Sequence, residues 1–272
     1  MPRGLAHFSI VLAGLSIAFL PTPAFAQDRQ SNDRQSKEWD VTLGMGAAVR
    51  PTFEGSDQYI VSPAPFVNVI WRDTVSLGVD GLSAYWSTEN FRIGGGPTFG
   101  TGRTQNSSIF SQGDSRLTGM GDIPAAFGLK VFADYRIGPS SLPVTVNASL
   151  TKFTANGNDG VLVNFGLRLP YKLTPTTTLR GFVSADWADQ GYMQTYFGVT
   201  AIQSINSGYA QYSPGAGIKD VNFGLGLTEK LNEHWSLIVN GRIAELTGDA
   251  ANSPIVFSRT QAIFTSAIAY HF

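Results

Sequence analysis

Gln261-Ala262-Ile263-Phe264-Thr265-Ser266-Ala267-Ile268-Ala269-Tyr270-His271-Phe272 alternates with a period of two: Phe264, Ile268, Tyr270 and Phe272 share one parity. An apolar strand of this kind left at a sheet edge invites aggregation, whereas a closed barrel in a bilayer pairs its last strand with its first and has no edge. The stretch reads as the closing strand of a bacterial outer-membrane barrel. The opposite end of the chain agrees. Arg3 precedes an apolar run from Phe8 to Leu20, followed by Pro21, Pro23 and the small-residue site Ala24-Phe25-Ala26. That is the layout of a secretory signal peptide, here residues 1–26. Its apolar run is too short for a membrane helix, which needs about 20 residues, and no comparable run follows. Residues 27–38 are polar throughout and read as a flexible periplasmic leader, with the barrel occupying 39–272.

From Trp39 onward the chain breaks into runs of about ten residues, each with one apolar parity and bounded by turn residues. Trp39, Val41, Leu43, Met45 and Val49 oppose Asp40, Thr42, Gly44, Gly46 and Arg50. The cleanest run sets Val161, Val163, Phe165, Leu167, Leu169 and Tyr171 against Asn164, Gly166, Arg168 and Lys172. Similar runs begin near Val67, Val75, Phe91, Phe127, Val144, Leu179, Val221 and Trp235, which with the last strand makes eleven. Single-chain bacterial barrels have an even number of strands. A strand is therefore hidden, either between Val75 and Phe99, where Gly81 breaks the pattern, or between Tyr192 and Ile218. The expected architecture is all-β, an antiparallel up-and-down transmembrane barrel of twelve strands, or ten if two runs belong together. A soluble β-sandwich gives the same alternation but has less use for an export signal and a self-closing terminal strand. Links such as 174–176 and 232–234 suit periplasmic turns, and 102–124, 188–218 and 247–258 suit extracellular loops. Trp39, Trp71, Trp86, Tyr171, Trp187, Trp235 and Tyr270, near strand ends, suit interfacial girdles.

Composition narrows function. Charged residues are 14% of the chain, against about 25% in soluble domains, while aromatics reach 12% and cysteine is absent. Removing residues 1–26 takes one cation and leaves a net charge of −2, which gives no electrostatic case for nucleic acid. Of the three histidines, His7 leaves with the signal peptide, His234 sits in a turn and His271 is penultimate, so no catalytic triad is expected. Without cysteine and with so few histidines, no zinc site or other metal or cofactor site is expected. The glycine runs Gly94-Gly95-Gly96 and Gly224–Gly226 fall inside strands without a following helix, so they relieve crowding and cradle no phosphate. The inward parity collects Arg50, Arg92, Lys130, Arg136, Arg168, Lys172, Arg180, Lys230 and Arg242 against Asp40, Asp80, Asp134 and Asp186. A hydrated interior with that excess would favour anions; alternatively the charges form a salt-bridged plug.

The segment Leu246-Thr247-Gly248-Asp249-Ala250-Ala251-Asn252-Ser253-Pro254-Ile255-Val256 resembles the Gly-Asp-Ala-x-x-Ser-Pro loop of the MipA/OmpV family, the MltA-interacting outer-membrane proteins. Tyr192 with Tyr196-Phe197-Gly198-Val199, the Ser207-Gly208-Tyr209 to Tyr212 segment, and a loop from Glu54-Gly55-Ser56-Asp57 to Pro63 match as well. The resemblance implies a non-enzymatic barrel in the outer membrane of a Gram-negative bacterium. Its role would be that of a scaffold joining a lytic transglycosylase to a bifunctional peptidoglycan synthase. A narrow anion-favouring permeability channel and a surface adhesin are the alternatives. Tyr192, Tyr196, Phe197, Asp249, Ser253 and Pro254 are candidates for a partner-recognition surface. Their plainer reading is a loop folded over the barrel mouth, with Asp249 and Ser253 bonding their own backbone and Pro254 stiffening the turn.

Overall fold

The computed structural model describes residues 38–100, 102–106, 113–139, 142–154 and 159–272. The expected signal segment 1–26 and residues 27–37 of the leader lie outside them. The strands are β1 (Trp39–Pro51), β2 (Tyr59–Pro63), β3 (Phe66–Trp71), β4 (Val75–Gly78), β5 (Gly81–Ser87), β6 (Phe91–Gly100), β7 (Ala126–Ile137), β8 (Val144–Thr154), β9 (Gly160–Lys172), β10 (Thr177–Ala188), β11 (Gly217–Lys230), β12 (Trp235–Leu246) and β13 (Thr260–His271). Each pairs antiparallel with its neighbours, and β13 closes on β1 from Thr42 opposite His271 to Val49 opposite Phe264. The other side of β1 takes β3 along one half and β2 along the other. These two are halves of one strand broken at Ala64-Pro65, so the barrel has twelve strands. Pro63 and Pro65 hid the first half from the alternation, which is why Tyr59–Pro63 read as loop.

The missing strand is β5, in the first of the two suspected places. Gly81 starts it with φ +99°, and an added Cβ there would lie 2.3 Å from the Pro97 carbonyl. The second place, Tyr192 to Ile218, holds two helices, α1 (Gln190–Phe197) and α2 (Ala201–Ser207), and a third, α3 (Gly248–Ala251), follows β12. Among the described residues no helix is long and apolar enough to cross a membrane; the strands do so.

Side-chain exposure decides between barrel and sandwich. Met45, Phe127, Leu129, Phe165 and Leu225 are 57–67% exposed on the outer face, while their neighbours Thr42, Ala48, Arg92, Asp134 and Asn222 are buried inside. Leaving each such apolar side chain in water costs about 1.5–3 kcal/mol. A soluble protein does not tolerate so continuous a patch, and hydrocarbon removes the cost. Trp39, Trp71, Trp86, Tyr171, Trp235 and Tyr270 gather at the end with short turns, where Trp39 and Trp71 lie 6.2 Å apart and Trp235 and Tyr270 4.9 Å. They form the girdle expected of an interface. Trp187 lies near the opposite end, from which the segments 102–124, 188–218 and 247–258 all emerge.

Candidate functional site

Inward side chains join into a belt that crosses six adjacent strands. The Arg92 guanidinium donates to one oxygen of Asp134 at 2.6 Å, and Arg168 donates to the other, also at 2.6 Å. Arg168 Nε reaches Asn147 Oδ1, Asn147 donates to Asn164, and Asn164 donates to Asp186 at 2.6 Å. Asn222 then links Asp186 to Asp220. Lys219 Nζ donates to Asp220 at 2.5 Å and to Glu54, in the β1–β2 loop, at 2.8 Å. Lys219 and Asp220 are consecutive, so a regular strand would turn one of them to lipid. A bulge opposite Asp186 and Trp187 turns both inward.

Arg92, Asp134, Lys219 and Asp220 are almost fully buried, and charges so placed persist only when paired and hydrogen-bonded. The belt therefore cross-links the lumen wall; these cations are not a ring of free charge. Asp134 neutralises two arginines as the parity suggested, whereas Asp186 is held by asparagine amides. Lys130 and Asp80, 3.6 Å apart and partly exposed, contribute little. Arg180 donates to Thr228. Arg136 is half-buried, and Lys172 and Lys230 are exposed at the short-turn end. Arg50 has only the Pro51 carbonyl, at 3.4 Å, and the buried Nε atoms of Arg50 and Arg242 lack a hydrogen-bond partner among the described residues.

The opposite, long-loop end is roofed. Asp189 caps α1 by accepting from Tyr192 N, and Thr200 with Gln203 forms a capping box on α2. Tyr192, Met193, Tyr196 and Phe197 on α1 pack with Ala188, Leu246, Ala250 and Ala251 in one buried cluster. Phe53, Leu117, Met120, Val199 and Ile255 form a second. The rings of Tyr192 and Tyr196 stack at 4.5 Å, and Gly160 admits α1 because an added Cβ would meet Tyr192 Cβ at 2.6 Å. Ser253 Oγ donates to the Phe197 carbonyl at 2.6 Å. Arg103 donates to the Tyr196 carbonyl, and burial lowers its guanidinium to about 10. Burial likewise pushes the Tyr192 phenol up.

The structure thus brings Tyr192, Tyr196, Phe197, Ser253 and the half-buried Pro254 together inside the lid. Asp249 stays exposed, its carboxylate accepting from Gly215 N at 2.7 Å and its carbonyl from Tyr212 Oη. A second fastening joins the lid to the β1–β2 loop. Asp114 accepts from Thr52 at 2.7 Å and from Arg116 at 3.0 Å, and Arg116 also pairs with Asp57. Burial alone would raise the Asp114 carboxyl, but the bonds from Arg116 and Thr52 outweigh it and hold it at about 2. At the other end His271 lies between Thr42 Oγ1 and Ser236 Oγ, at 2.9 and 3.1 Å. Lys219, Asp220, Asn222 and Glu54 were not among the sequence candidates. The signal was present, since a Lys-Asp pair inside an alternating strand implies a break in register.

Solved structures with related architecture include an outer-membrane channel of Pseudomonas putida F1 (11% identity, TM-score 0.46, covering 89% of this chain and 100% of that one). The translocator domain of the autotransporter NalP from Neisseria meningitidis is 11% identical, with TM-score 0.41 and 88% and 90% covered. The outer-membrane channel DcaP of Acinetobacter baumannii is 8% identical, with TM-score 0.40 and 86% and 96% covered. None of the curated proteins compared matches this chain. The family described as MltA-interacting protein MipA matches residues 43–272, nearly the whole barrel. The chain belongs to that family.

Proposed function

We infer that the protein is a non-enzymatic barrel of the Gram-negative outer membrane that serves as a scaffold for the cell-wall machinery. Its partners are a lytic transglycosylase and a bifunctional peptidoglycan synthase, docked on the short-turn, periplasmic end. Residues 1–26 direct export, and 27–38 form a periplasmic leader. The observation that carries the reading is the sealed mouth. Two buried apolar clusters roof the barrel and a hydrogen-bonded belt braces the wall beneath, an arrangement suited to a rigid platform more than to a pore. The family's description as MltA-interacting supports the first partner. In this reading Tyr192, Tyr196, Phe197, Ser253 and Pro254 hold the seal, and the exposed Asp249, also at the long-loop end, fastens Tyr212 and Gly215 to it and does not meet the periplasmic partners.

The test is affinity purification from crosslinked envelopes, with a barrel of another family as control. Enrichment of peptidoglycan hydrolases and synthases is expected. Recovery no greater than in the control rejects the scaffold. Planar-bilayer recording on the same preparation supplies the second reading: a steady anion-selective current lost on Arg168 and Arg180 substitution would make the protein a channel.

A further inference from the structure

Among the described residues, the strand pairing of the barrel wall has a gap. β4 and β5 are four and seven residues long beside a β1 of thirteen and a β6 of ten. Their hairpin turns at Gly78–Gly81, level with Asn68 of β3 and Thr98 of β6. Beyond it, among the described residues, β2 pairs only with β1, and Phe99 and Gly100 pair only with β7. The Ala64 N–H and the Gln58 carbonyl point to β1. By alternation the backbone groups of Tyr59 and Val61, and the Pro63 carbonyl, point the opposite way, into the gap. On the long-loop side of it, Asp114 and Arg116 fasten on Thr52 and Asp57 of the β1–β2 loop. The result is a window in the side of the barrel, near the long-loop end.

An unpaired edge is not left facing hydrocarbon, so the window opens on a polar interior or holds a ligand. Its rim is apolar outside, with Tyr59, Val61, Val67, Val79, Leu82 and Phe99 all 38–65% exposed. Inside, Arg50 neighbours Ile60 of β2, and β13 places Arg242 at the same level across Ile263. No salt bridge joins either guanidinium to a carboxylate among the described residues, and both Nε atoms are buried without a partner. Ser62 Oγ, on the same inner face, is also unpartnered. The apolar clusters of the lid lie over the barrel mouth, and the window adds a lateral approach near the long-loop end.

We propose that this window binds anionic single-chain amphiphiles taken sideways from the outer leaflet, with the anionic head on Arg50 and Arg242 and the tail leaving between β2 and β6. Two guanidiniums without a carboxylate partner among the described residues match one phosphate or carboxylate, and the apolar rim matches the chain. The test uses the full-length protein in an uncharged maltoside detergent, with dodecyl phosphate as probe and inorganic phosphate as the headgroup without a tail.

Saturable binding of dodecyl phosphate is expected. The double variant Arg50→Gln/Arg242→Gln should weaken it at least tenfold while retaining heat-modifiable mobility, and inorganic phosphate at equal concentration should not compete. The chain lacks cysteine, so Val61→Cys carrying a bulky maleimide blocks the window alone and should abolish binding. The same label at Leu225→Cys, on another part of the outer face, should leave it unchanged. Equal binding by the arginine variant, or indifference to the Val61 label, overturns the proposal. Equal competition by inorganic phosphate overturns it too, since the site would then be one for soluble anions.

Discussion

Lys219 is the side chain on which the loop and the wall converge. Its ammonium is almost wholly buried between Asp220 and the more exposed Glu54. Removing one partner of a buried pair leaves the other charge uncompensated, at a cost of about 3–5 kcal/mol. Lys219→Met should therefore lower the thermal midpoint of the heat-modifiable transition far more than Glu54→Gln, whose half-open contact is worth under about 1 kcal/mol. Equal shifts would contradict the assigned burial.

Asp114 gives a second prediction. Its folded pKa is about 2 against an ordinary 3.8. A carboxyl depressed by folding stabilises fully above its unfolded value, and that contribution drains away as pH falls toward the folded value. The clamp on Thr52 and Arg116 should hold at pH 6 and weaken between pH 4 and 2. Acid-active protease should then cut within 102–124 at pH 2.5 faster than at pH 4, and Asp114→Asn should erase the difference. Neither Lys219 nor Asp114 stood out in the sequence. Each has a partner close by in the chain, Asp220 or Arg116, but the contacts that tie it to the β1–β2 loop, with Glu54 and Thr52, lie more than sixty positions away, and no local pattern announces them.

At the scale of elements, legibility followed length and regularity. β9, with thirteen residues and an unbroken apolar row, was plain from alternation alone. β5, with seven, was hidden because Gly81 breaks the pattern where it begins, and β2 was masked by its prolines. The helices of the lid were missed for another reason. Tyr192, Met193, Tyr196 and Phe197 are spaced as one helical face, and Thr200 to Gln203 is a capping box, but the same stretch is also long enough for the strand that an even count requires. What no pattern reveals is the docking of α1 on β9, which requires the bare backbone of Gly160. Gly160→Val should lift the helix while leaving the strands paired. We expect intact heat-modifiable mobility, together with faster hydrogen exchange at Tyr192–Phe197; unchanged exchange would place α1 elsewhere.

For the whole molecule, the outside is tuned to lipid and the inside largely to its own polar groups, with an apolar roof at the long-loop end. Deleting 190–207 should remove that roof. Bilayer recordings are then expected to change from quiet to conducting, whereas silence would mean that the belt beneath already blocks passage. The charge excess visible in the sequence did not foretell this, because parity says which residues point inward but not which of them meet.

The seam between β1 and β13 carries one more implication. Thr42 and His271, which meet across it, are 229 residues apart along the polymer, so the two borders of the sheet cannot join until nearly all of the intervening hairpins exist. Closing so large a ring is entropically costly and slow, and until then both borders remain adhesive. Biogenesis of this protein must therefore be protected up to its final step, and a lesion at either border should show itself first as a delay in maturation, with little change in the finished barrel.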